Sequence, residues 1–310
     1  MNSLPTVPSA SSRDGNAPSE TAELSFEDQA ALARAMQELE RTSLAIRLSA
    51  IIGWQVSAVG SIIPANISEI ANKAAETAIR SGLNFSFRSL AGKPLRDRRR
   101  MHKSLAVLAG AAGGAFGFSS LPVELPFSAT IMLRSIADIA RGEGEDLSDP
   151  KTALACLEVF ALGGRADADK HIWFPEIDVA DYFAGGAALE TGYFAVRAIL
   201  AKSVTEAASY LSGRGVVNEF APALVRLVAQ IGTHFGVVVS QKLVAQSVPL
   251  IGAAGGAAIN YAFADHFQTI ACGHFTILRL ERQYGVGVVR AEYERLLNAR
   301  LNQSLFFHVY

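Results

Sequence analysis

The chain has few of the residues that build covalent frameworks or familiar catalytic motifs. Only two cysteines occur, Cys156 and Cys272, both among apolar residues. That excludes a disulfide scaffold and predicts two reduced, buried thiols. Charge is also scarce: 18% of the residues are charged and the formal net charge is −1, which leaves no whole-chain footprint for nucleic acid. No aromatic residues interleave with the arginine cluster Arg98 to Arg100, so single-stranded nucleic acid is a poor partner too. No useful stretch alternates apolar and polar residues, and Val237, Val238 and Val239 form only a short β-branched patch. There is no GxSxG elbow, no GxxxxGK(S/T) phosphate loop, no GxGxxG after a strand and no HExxH pair. Nucleotide binding is therefore not expected, and no cofactor is called for. The opening MNSLPTVPSASSRDGNAP has no basic start followed by an apolar core, and Asn2 does not fit the myristoylation pattern. The expected compartment is cytoplasmic.

What the chain does have is apolar and small. Half of it is hydrophobic, and the mean hydropathy of +0.24 lies between ordinary soluble and integral membrane composition. At 310 residues it is long enough to bury a substantial core. The segment from Lys93 to Asp146 is the most informative. Lys93, Arg96, Arg98, Arg99, Arg100 and Lys103, opposed only by Asp97, feed directly into an uncharged glycine-rich run. Among anionic headgroups each such cation is worth about 1 kcal/mol, so the order of residues points to a membrane surface.

The glycine-rich runs supply close-packing faces. Gly110 and Gly114, Gly113 and Gly117, and Gly252 and Gly256 each stand four apart, on one side of a helix, where backbones can approach. GAAGGA occurs twice, at Gly110 to Ala115 and Gly252 to Ala257. A duplicated hairpin-plus-helix unit would explain the echo, with the two copies packed together; a chance recurrence in an Ala/Gly-rich chain explains it too. The uncharged runs Ser104 to Val123 and Leu243 to Ala264 have about the length that crosses a bilayer, roughly 20 residues. Their Ala/Gly content, with Gln246, Ser247, Pro249 and Asn260 in the second, disfavours a span. An interfacial or re-entrant hairpin and a buried core remain open alongside it.

Helical spacing dominates elsewhere. Residues 1–23, rich in Ser, Pro and Ala, read as a disordered tail, and residues 24–310 as one helical domain. Ser25 with Asp28 resembles a capping box ahead of Phe26, Leu32, Met36, Leu39 and Leu44. Further helices are expected over Ala65 to Phe87, Phe127 to Arg141, Leu154 to Leu162, Val179 to Leu211, from Pro222 onward, and Phe263 to Tyr284. A polar loop is expected over Ala166 to Asp181. Ser148, Asp149 and Pro150 start the helix at Leu154 to Leu162, and Gly163 stops it. The expected fold is an all-α, multi-helix globular bundle with Gly/Ala-rich central helices.

Polar candidates for chemistry are few. Glu124, flanked by Pro122 and Pro126 in LPVELP, reads as a carboxylate on a stiff turn, either special through desolvation or favoured by the macrodipole of the following helix. Thr130, Arg134, Asp138, Arg141 and Glu145 form one helical stripe, a solvated face or a polar seam, with Arg134 spaced to pair with Asp138. Glu143, Glu145 and Asp146 only loosely suggest a cation loop. Asp265, His266 and His274 form another cluster, but zinc would need a further ligand, and no metal site is expected.

Two stretches resemble a known family. SSLPVELPFSATIMLRSIADIARGEGEDLSDPKTALACLEVFALGG, Ser119 to Gly164, and VPLIGAAGGAAINYAFADHFQTIACGHF, Val248 to Phe275, are similar to the core and C-terminal signatures of the EcsC protein family, bacterial proteins often encoded beside an ABC transporter. The resemblance implies a mostly helical, cytoplasmic protein peripherally associated with the inner face of the membrane, and it brings no catalytic residues to carry over. Binding of anionic lipid or support of a membrane partner such as an ABC transporter is the expected role. The alternative is a membrane-associated hydrolase using Glu124 with Arg134, or Asp265, His266 and His274.

Overall fold

The structure, a computed structural model, describes residues 23–40, 98–116, 121–163, 193, 194, 197, 198 and 252–307. Among these residues there are six helices and no strand: α1 (Phe26–Leu39), α2 (Arg99–Phe116), α3 (Leu121–Gly142), α4 (Pro150–Gly163), α5 (Gly252–Tyr284) and α6 (Val286–Phe307). The readings over residues 1–22, Ala65 to Phe87, Ala166 to Asp181, Val179 to Leu211 apart from 193, 194, 197 and 198, Pro222 onward and Val237 to Val239 lie outside the described residues, as do Leu44, Lys93, Arg96 and Gly117.

Local chemistry explains the helix ends. Ser25 caps α1: its Oγ accepts from the Asp28 backbone N–H at 3.1 Å and donates to the Asp28 carboxylate at 2.9 Å. Leu32, Ala35, Met36 and Leu39 are then buried on one face, whereas Phe26, expected on that face, is 90% exposed. It sits in the first turn, ahead of the packed stripe. Asp149 caps α4, its Oδ1 accepting from the Lys151 backbone N–H at 2.9 Å, and Pro150 at the first helical position needs no N–H acceptor. α3 closes in a Schellman turn: Glu145 N–H reaches the Ala140 carbonyl at 3.0 Å and Gly144 N–H the Arg141 carbonyl at 3.2 Å, around Gly144 at φ 87°. Gly285, at φ 89°, likewise separates α5 from α6.

Three expectations need correction. The LPVELP segment is not a turn but the start of α3. Pro122 falls in the first turn, where helix N–H groups lack internal acceptors anyway, and Pro126 forgoes one bond without ending the helix. The two GAAGGA copies are also not equivalent. The first closes α2, and the second opens α5 with no break before the residues expected to start a helix at Phe263, so a repeated hairpin-plus-helix unit is not formed. Finally, α6 had no counterpart in the expected elements.

α5 is the centre of the arrangement. Its 33 residues extend about 50 Å at 1.5 Å per residue, and it contacts every other described helix. Its most extensive partner is α2, and the closest approach is backbone on backbone. A methyl group added at Gly110 would overlap the Gly256 carbonyl oxygen and the Asn260 side chain, and one at Gly256 would overlap the Gly110 carbonyl. Gly273, further along α5, admits Leu39 of α1 in the same way. Between these contacts Leu32, Leu133, Ile136, Phe160, Phe267 and Phe275 fill the core, with the Phe160 and Phe267 rings 4.8 Å apart.

Because two backbones meet at this crossing, no flexible side chain can yield. Gly256→Ala is expected to lower unfolding stability by about 1–3 kcal/mol in urea denaturation followed by circular dichroism. Gly142→Ala, which would meet nothing within 4 Å, should leave stability unchanged or raised by up to about 1 kcal/mol. Equal effects at the two sites would show that the crossing is not the cause.

Candidate functional site

α2 divides into two faces. His102, Ala106, Ala109, Gly110 and Gly113 are buried against α3 and α5, while Arg99, Arg100, Met101, Ser104, Leu105, Leu108, Ala112 and Ala115 are exposed. The large apolar members of the outer face are considerable: Met101 is 44% exposed, Leu105 38% and Leu108 65%. They recur at four- and three-residue steps, so they form a stripe, and Arg99 and Arg100 stand at its N-terminal end. The cations in this region are not all free of partners. Lys103 Nζ lies 2.6 Å from Asp265 Oδ1 and 5.7 Å from the centre of the Tyr261 ring. Arg99 Nη1 approaches Cys272 Sγ at 3.5 Å, and the Arg99 carbonyl accepts from Gln268 Nε2 at 3.0 Å. Tyr261, on α5 beside Lys103, is itself 47% exposed.

The constellations expected for hydrolysis do not assemble. Glu124 is only 5% exposed in the first turn of α3. Asn260 Nδ2 donates to its Oε1 at 3.3 Å, to Ser128 Oγ at 3.3 Å and to the Ala106 carbonyl at 3.1 Å. Gly113 leaves the room the carboxylate occupies. Glu124 is thus a buried strut between α2, α3 and α5 near a helix N-terminus, where a negative charge is favoured. Arg134 lies ten residues further along the same helix, about 15 Å away along its axis, too far to share a reacting group with Glu124.

The remaining polar stripe of α3 is an interior seam for part of its length rather than a solvated face. Thr130 Oγ1 donates to the Pro126 carbonyl at 2.7 Å. Asp138 is buried, accepting from Arg141 Nη2 at 2.7 Å and lying 2.9 Å from His102 Nε2. A crevice lined by His102, Met132, Ser135, Phe267 and Gln268 has no room for a water molecule. The acidic residues after α3 also find protein partners: Glu143 takes Arg279 Nε at 3.0 Å, Glu145 pairs with Arg282, and Asp146 accepts from Ser148 N–H and Oγ at 2.8 Å each. Those two bonds hold the Asp146 carboxyl below its ordinary range.

Asp265, His266 and His274 face three different ways. Asp265 pairs with Lys103, His266 Nε2 bonds the Gly163 carbonyl at 2.8 Å, and His274 Nδ1 lies 2.9 Å from the Tyr193 hydroxyl. Among the described residues no group of three His, Cys, Asp or Glu side chains could hold a metal ion, and no helix is long and apolar enough to cross a membrane. Neither thiol is disulfide-bonded. Burial raises Cys156 far above the ordinary thiol range and also raises Cys272, which is only partly buried.

What the fold does gather is a cluster the sequence did not single out. Glu158 Oε2 on α4 lies 3.5 Å from His274 Nε2 on α5. Arg197 holds Glu281 through two bonds of 2.7 and 3.1 Å and stacks 5.4 Å from the Tyr193 ring. Glu40 Oε1, just past α1, accepts from Tyr193 N–H at 3.0 Å and Tyr293 Oη at 2.9 Å. Burial pushes Glu158 up to about 7, against the opposing pull of Arg197 and with Glu281 adding to it. Burial also holds His274 well below the ordinary histidine value. The available signal was Glu158 itself, a lone carboxylate inside the apolar text LACLEVFAL.

The described fold is all-helical, and the outer face of its second helix carries both exposed arginines and exposed apolar side chains. The chain belongs to the EcsC protein family, whose family model matches residues 30–280. No curated protein and no solved structure matches it.

Asp138 joins α2 to α3 through one buried carboxylate with two cationic or basic partners. Asp138→Ala is expected to cost about 3–5 kcal/mol in chemical denaturation, because it removes one partner of a buried ion pair that links α2 to α3. A loss below about 1 kcal/mol, the range of surface pairs, would show that the seam is solvated.

Proposed function

We propose that the protein is a peripheral membrane protein that docks on the anionic, cytoplasmic surface of a bilayer through the outer face of α2. The observation that carries this reading is the exposed stripe Met101, Leu105 and Leu108 with Arg99 and Arg100 at one end. Apolar side chains of this kind lie at the boundary between headgroups and acyl chains, and the arginines stay among the phosphates. Lys93 and Arg96, adjacent in sequence, extend the basic run. Each cation contributes about 1 kcal/mol near such a surface, and the apolar stripe adds a part that salt does not screen. The opposite face of α2 is committed to α3 and α5, so the helix lies on the membrane surface instead of entering as a span. The same docking would bring the chain beside membrane proteins, so support of a partner such as an ABC transporter is part of this proposal.

Flotation of the purified protein with vesicles tests the reading. Binding is expected to vesicles containing phosphatidylglycerol, to weaken severalfold from low to high salt, and to be absent with phosphatidylcholine alone. Replacing Arg98, Arg99 and Arg100 with Ser should reduce the partition coefficient by about fivefold per residue, the factor equivalent to about 1 kcal/mol. Leu105→Gln with Leu108→Gln should abolish the salt-resistant part while leaving the circular dichroism unchanged. Failure to float with anionic vesicles at low salt would overturn the proposal.

A further inference from the structure

The largely buried cluster between α4, α5 and the helical residues at Tyr193 and Arg197, in which Tyr193, His274, Glu281 and Tyr293 are buried and Glu158, Arg197 and Glu40 partly so, is untouched by the membrane reading, and its charge balance is unusual. Glu158 comes from α4, His274 and Glu281 from α5, Tyr193 and Arg197 from the helical residues between them in sequence, Glu40 from the end of α1, and Tyr293 from α6. The Arg197 guanidinium is committed to Glu281 in a bidentate pair, and Glu40 is satisfied by a backbone N–H and a phenol. That leaves one carboxyl and one imidazole facing each other. His274 is fully buried, its Nε2 makes no hydrogen bond, and Glu158 Oε2 is the acidic group 3.5 Å from it.

We infer that Glu158 and His274 hold one proton between them, carried on Glu158 and directed at His274 Nε2, and that this shared proton makes the joint between α4, α5 and the helical residues at Tyr193 and Arg197 a pH-compensated lock. With the proton in place, Nε2 is the acceptor and Nδ1–H donates to Tyr193 Oη. Removing it leaves a carboxylate that needs Nε2–H as its donor. The imidazole then changes tautomer, and the Tyr193 hydroxyl turns to donate to Nδ1. The net change is one proton lost to solvent, with Nε2 and the carboxylate closing from 3.5 Å to hydrogen-bond distance.

The compensation follows from two opposite dependences. Glu158 is raised from its ordinary 4.5 to about 7, so its stabilisation is complete below pH 4.5 and is lost as pH rises toward 7. His274 is lowered from 6.5, so its stabilisation is present above pH 6.5 and is lost as pH falls. Between these limits the closed cluster holds one proton on Glu158, and an opened cluster holds one on a water-exposed imidazole. Opening therefore exchanges no proton, and the joint is insensitive to pH.

Hydrogen exchange of the intact protein, corrected for intrinsic rates from pH 4.5 to pH 7, separates the two contributions. Peptides covering residues 193–198 should show flat protection in the wild type. In Glu158→Gln, protection should rise by up to tenfold per pH unit as pH increases to 6.5. In His274→Gln it should fall by up to tenfold per unit over the same direction. Flat profiles or slopes of the same sign in the two variants would overturn the inference. Infrared spectroscopy of the wild type does not depend on either variant folding. A protonated-carboxyl band that persists at pH 6 and disappears with a midpoint near pH 7 supports the shared proton, and its absence at pH 6 refutes it.

Discussion

The backbone contact between Gly110 and Gly256 is the constraint on which the described architecture depends. A helix pair brought this close buries the small faces of both α2 and α5, and everything on the opposite side of α2 is consequently turned outward. The exposed stripe is thus a by-product of the tight crossing. Any larger residue at the contact would separate the axes, admit solvent between the helices and weaken the polar bonds that Asn260 and Gln268 make across the same interface.

Those polar bonds show how an Ala/Gly-rich interface acquires a single register. Small residues slide past one another easily, because their packing surfaces are nearly featureless. Asn260 ties α5 to the Ala106 carbonyl, Ser128 and Glu124. Gln268, two turns on, ties it to the Arg99 carbonyl and to Ser135. A shift by one residue would leave these buried groups without partners, at about 1–3 kcal/mol each. The same logic places His266 on the carbonyl end of α4 and His274 between Tyr193 and Glu158. Successive polar residues of α5 thereby address successive neighbours.

Local text was legible where a single residue determines a conformation. Ser25 and Asp149 marked helix starts because their side chains reach backbone N–H groups two or three residues on. Reading failed where the outcome depended on a distant partner. Pro122 and Pro126 suggested a turn, yet α3 forms through them because its remaining length packs on α2, α4 and α5. The polar stripe of α3 has the spacing of a solvated face, and only the packing of α2 makes Asp138 a buried partner of His102. Asp265, His266 and His274 are neighbours in sequence but point to three different helices or segments, since each step along a helix turns the side chain by about 100°.

The sequence by itself determined the helical class, the family, the basic run before α2 and the glycine spacing that permits close approach, because each is a property of composition or short-range periodicity. Tertiary structure alone decided which glycines meet, which face of α2 remains exposed, and that Glu158 and His274 stand opposite each other. Those residues are separated by more than a hundred positions, and no local propensity carries information about a partner so far along the chain. Their ionisation is equally a tertiary property, since it is the removal of water by packed helices that moves a carboxyl toward neutrality.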